Sequence, residues 1–108
     1  MSAKLDRIQD AVLKESLSDA QADLRSGNYP GVVHRAADAY VALLRRKPEM
    51  LKEAMGMRHI MFFPRLGAHL IMEADGSPSV VYDREKFTFA EAVTYWEFAV
   101  DSLEREGL

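Results

Sequence analysis

Three histidines, fourteen lysines and arginines and no cysteine set the limits on what chemistry this chain can perform. Imidazole titrates near neutral pH and binds metals, so the histidines come first. His69 and Glu73 share a face if their segment is helical, and His59 is the nearest third ligand. A metal site would also need orienting partners behind its ligands. On a strand, residues four apart lie about 13 Å from each other, too far for direct chelation. The plainer expectation is that these histidines hydrogen-bond at a helix edge, with no metal and no cofactor. His34 and Asp38, four apart on a predicted helix, read as a general base with its orienter or as a surface ion pair worth about 0.3 kcal/mol. A base needs a nucleophile to activate. With no cysteine and no Gly-x-Ser-x-Gly elbow, the ion pair is the expected reading.

Other constellations fare no better as catalysts. Gly27 to Gly31 lacks the glycine spacing and following lysine of a phosphate-binding loop. Asp83 with Glu85, and Glu104 with Glu106, fall in polar stretches with no apolar setting to raise a carboxyl pKa, so they read as solubilising charges. Five of the six methionines lie between Met50 and Met72, beside Phe62 and Phe63. Methionine adapts its shape cheaply, which suits an irregular core around a kink, a groove for a hydrophobic ligand, or a contact seam. The core is the expected use. A dimer seam built from Met55, Met61, Phe62 and Phe63, with Trp96, is the functional use the sequence favours.

The elements that must position these residues come from a chain of 108 residues, read as one helical domain over 1–108. Its greasiest region is broken by Arg58, Arg65 and Glu73, so no membrane span is expected. With Lys4, Asp6, Arg7 and Asp10 in the first ten residues no secretory signal is expected, and the cytoplasm is the expected location. Residues 1–54 carry nine basic and eight acidic groups, residues 55–108 five and nine. Nucleic-acid binding, which favours a basic surplus, is therefore not expected. The one basic cluster, Arg45-Arg46-Lys47, suits the negative end of a helix dipole.

Residues 3–26 are helical by pattern, although the stripe of Leu5, Ile8 and Val12 is rotated by about 100° from that of Leu13, Leu17, Ala20 and Leu24. One continuous helix is expected, with a break near Ser16–Ser18, capped by Ser18 and Gln21, as the alternative. Gly27-Asn28-Tyr29-Pro30 then turns the chain: Gly27 suits a left-handed helix stop, Asn28 a cap, and Pro30 the first turn of the next helix. That helix, about 29–46, is apolar over more than half its circumference, leaving a wet edge at His34, Asp38 and Arg45. Pro48 opens a third helix through Leu51, Ala54, Met55, Arg58 and Phe62, ended or kinked at Pro64. Beyond a short helix to Gly67, a strand from His69 is expected. Asp75-Gly76, between Leu70-Ile71-Met72 and Val80-Val81-Tyr82, predicts a β-hairpin, or a longer loop through Ser77-Pro78. Thr88 and Glu91 form a capping box, with Phe87 and Ala92 as its staple, and Phe89, Ala92, Val93, Trp96, Val100 and Leu103 mark one helical face ending at Gly107.

The run Leu24-x-x-Gly27-Asn28-Tyr29-x-x-Val32-Val33-x-x-Ala36-x-x-x-Tyr40 resembles the first hairpin of HEPN domains. It also resembles one turn of a tetratricopeptide repeat, although no second copy follows. The HEPN resemblance covers roughly thirty residues and implies a helical bundle, commonly dimeric and sometimes a ribonuclease. That activity is associated with an arginine followed after four to six residues by a histidine. Here Arg65 and His69 have three residues between them, and Arg58 and His59 are adjacent. The chain departs from the pattern at the residues that would carry catalysis.

The expectation is a mostly α protein, a four- or five-helix bundle with room for one short β-hairpin. Its expected role is a non-catalytic protein-interaction or dimerisation module, most simply a homodimer, with an unidentified protein partner as a further expectation. The alternatives are a HEPN-like ribonuclease or nucleotide-binding protein, with Arg58, His59, Arg65 and His69 at its cleft, and a carrier of a small hydrophobic ligand.

Overall fold

A computed structural model describes residues 5–50 and 68–108. The protein is mostly helical, as the periodicity predicts. We number its elements α1 (Ala11–Ser26), α2 (Tyr29–Arg46), β1 (Ala68–Met72), β2 (Pro78–Tyr82) and α3 (Phe89–Arg105). The chain divides into two compact units. One comprises Met1–Tyr40 with Lys86–Leu108, the other Val41–Glu85.

The first helix starts later than its apolar pattern predicts. Asp10 holds an extended backbone (φ −71°, ψ 113°) and accepts a hydrogen bond from the Leu13 amide at 3.0 Å, so it caps α1. Leu5 and Ile8 are buried ahead of that cap, while Val12 is 74% exposed. The jump in the apolar stripe thus marks a chain break at Asp10 and not a long helix meeting two neighbours. From Ala11 the helix is continuous through Ser18, burying Leu13, Leu17, Ala20 and Leu24.

At the far end Gly27 adopts φ 83°, a conformation costly for any residue with a Cβ. The Asn28 amide donates to the Asp23 carbonyl (2.8 Å) and the Gly27 amide to the Leu24 carbonyl (3.2 Å). This is the Schellman pairing that satisfies the last carbonyls of a helix. Asn28 then caps α2, its Oδ1 accepting from the Gly31 amide at 3.3 Å. Within α2, Val32, Val33, Ala36, Ala37, Ala39, Tyr40, Val41, Leu43 and Leu44 are all buried. His34, Asp38 and Arg45 form the expected exposed edge.

Helix α3 carries the predicted capping box in both directions: the Glu91 amide donates to Thr88 Oγ1 (3.1 Å) and the Thr88 amide to Glu91 Oε1 (2.9 Å). Phe87 and Ala92, the two ends of the staple, are buried. Its other end repeats the Schellman pairing, with Gly107 at φ 78° and the Leu108 amide bonded to the Leu103 carbonyl at 2.9 Å. The Leu108 carbonyl in turn accepts from the Gln9 and Asp10 amides, and Arg7 pairs with Glu104 at 2.7 Å.

Ring contacts give the helix directions within this unit. Tyr29 meets Phe89 edge-on at 6.0 Å, and Tyr40 meets Phe98 at 4.9 Å. Both pairs advance the same way along their helices, so α2 and α3 run parallel. The clasp of Gln9 and Asp10 on Leu108 sets α1 antiparallel to α3. Parallel neighbours cannot be joined by a tight turn, and residues 47–88 form the intervening chain.

In the second unit β1 and β2 pair antiparallel, Ala68 opposite Tyr82 and Met72 opposite Pro78. The five residues between them form a loop in which Gly76 takes φ 85°. Asp75 Oδ1 accepts from the Ser77 amide (3.0 Å) and hydroxyl (2.6 Å), the Asx turn that favours aspartate here. Residues 48–50 are helical, as Pro48 predicts. The remainder of that expected helix and the kink at Pro64 lie outside the described residues.

Candidate functional site

The residues proposed from sequence divide into three groups. Arg58, His59, Arg65, Met55, Met61, Phe62 and Phe63 lie outside the described residues. His69 lies in β1 opposite Val81. The helical reading that would bring it onto one face with Glu73 is therefore replaced by a strand, and Glu73 falls in the loop beyond it. Among the described residues no group of three or more histidine, aspartate or glutamate side chains is placed to hold a metal ion. Trp96, offered as an interface residue, is instead a core residue with no exposed surface. Its indole N–H donates to the Leu17 carbonyl at 2.9 Å, which meets the need of a buried tryptophan for a partner.

His34 and Asp38 are both exposed on α2. Asp83 and Glu85 are likewise exposed, and Glu104 is engaged by Arg7. The hydrogen bond from Arg7 to Glu104 and the attraction between the two charges push the guanidinium pKa up. Glu104 also lines an open surface cleft with Asp101 and Arg105.

A polar cluster sits at the α1–α2 turn. Arg35 Nε donates to Asp23 Oδ2 at 3.0 Å and its guanidinium lies 3.7 Å from Asp19. Asp23 also receives the Ser26 hydroxyl on its carbonyl. A Cβ on Gly31 would stand 2.5 Å from Asn28 Nδ2 and 2.8 Å from Asp23 Oδ2. A side chain there would have to displace the Asn28 and Asp23 side chains from the cap and the ion pair. Every carboxylate and amide here is spent on the turn, so the cluster reads as a lock on the hairpin.

Among the described residues three large apolar side chains are exposed, Val12, Val81 and Phe89. Phe89 is 55% exposed, the one aromatic side chain in the exposed class among the described residues. It takes the first helical position of α3, directly after the Thr88 cap, while Phe87 on the other side of the cap is buried against Tyr95, ring centroids 6.3 Å apart. Tyr29, at the first position of α2, packs its ring edge-on against Phe89 and is itself half-buried. Two helix caps thus hold two aromatic rings side by side at the end where α2 and α3 begin. The pair offers apolar area and a ring quadrupole.

Periodicity puts Phe89 on one helical face with Ala92, Trp96 and Val100, yet those three are buried and Phe89 is not. A helical period says which face a residue shares, not where the neighbouring helix stops. The available signal was the pair of aromatics flanking Thr88: a single staple position takes one of them inside. Compared with protein-family models, with curated proteins and with solved structures, the chain matches none.

Proposed function

We propose that this protein is a non-catalytic helical association module, that the Phe89–Tyr29 pair is its contact point, and that a homodimer is its simplest assembled form. The observation that carries this reading is the exposure of Phe89, packed ring to ring with Tyr29, in a unit that buries Trp96, Tyr40, Tyr95, Leu17 and Leu103. Single exposed apolar residues are ordinary on protein surfaces. Phe89 differs because a second ring is held against it by an independent cap. Burying a phenylalanine that is otherwise in water gains about 1.5–3 kcal/mol, and aromatics are enriched among the residues that dominate interfaces.

Light scattering across a dilution series, on the protein and on Phe89→Ser, tests the reading. The expected result is a mass above that of one chain which falls to one chain in the variant, with the helical circular dichroism unchanged. A single-chain mass for the unaltered protein at tens of micromolar, with no binding of a hydrophobic dye, would overturn it.

A further inference from the structure

We draw no further inference here: the strongest candidate, the exposed Phe89–Tyr29 aromatic patch where α2 and α3 begin, belongs to the site already described, and nothing in the structure shows what covers it.

Discussion

The indole of Trp96 on α3 donates its hydrogen bond to the backbone carbonyl of Leu17 on α1, 79 residues away and buried. A helix carbonyl has a second lone pair beyond the one used in its own ladder, so the indole binds α1 without opening it. Trp96→Ala removes the bond and leaves a cavity, and should lower stability by about 3–5 kcal/mol. Trp96→Phe keeps most of the ring and loses the donor, so the expected loss is smaller. Denaturant unfolding followed by circular dichroism measures both. Equal losses for the two variants would show that the bond, not the packing, holds the helices together.

Gly31 inverts a familiar rule. Glycine inside a helix is usually worse than alanine by about 0.5–1 kcal/mol. Here an alanine Cβ would displace the Asn28 side chain and the Asp23 carboxylate. Gly31→Ala should therefore destabilise, by roughly the value of a cap, about 0.5–2 kcal/mol. In an Asn28→Ala background the Asn28 carboxamide is already gone, so the same substitution should cost less. A Gly31→Ala variant that melts higher than the parent would refute the crowding.

Thr88→Ala should cost about 0.5–2 kcal/mol by removing the acceptor for the Glu91 amide. Thr88→Ser retains a hydroxyl and should lie close to the parent. Thermal melts of the two variants decide it, and identical losses would mean that the Thr88 methyl matters more than its oxygen.

These features differ in how far they could be read from the chain. Gly27, Asn28 and Pro30 act within one turn of each other, and so do Thr88 and Glu91; their signals survive without knowledge of the tertiary fold. The β-hairpin was legible for the same reason, since Asp75 and Gly76 carry their own turn chemistry. The start of α1 was not, because Leu5 and Ile8 continue a helical-looking apolar series across the Asp10 cap. Phe89 and Gly31 depend on what stands opposite them, which a period of 3.6 residues does not encode. As for the candidate site, the sequence points to Met55, Met61, Phe62, Phe63 and Trp96 and to Arg58, His59, Arg65 and His69, while Phe89 is marked only as one residue of a helical face.

The Asp75 turn should respond to acid. The Ser77 hydroxyl, then the Ser77 amide, hold the Asp75 carboxyl below its ordinary value of 3.8. A depressed folded value means the folded turn favours the ionised form. Its contribution is therefore complete above the unfolded value and fades as the pH falls through the lower folded one. Ser77→Ala should raise the Asp75 pKa toward 3.8, read as the midpoint of its carboxyl resonance in an NMR titration. An unchanged midpoint would mean that the hydroxyl plays no part.

The parallel course of α2 and α3 has a consequence for how the polypeptide is made. On a ribosome the α1–α2 hairpin emerges first, and its contacts are local enough to form quickly. Yet the partner of Leu17 is Trp96, and the partner of Tyr40 is Phe98. Closing a loop of that length carries an entropic cost on the order of 4 kcal/mol, met only once α3 is available. Residues 47–88 are synthesised in the interval. The unit begun first is the last to be completed, and until then the nascent hairpin carries its apolar stripe uncovered by the helix meant for it.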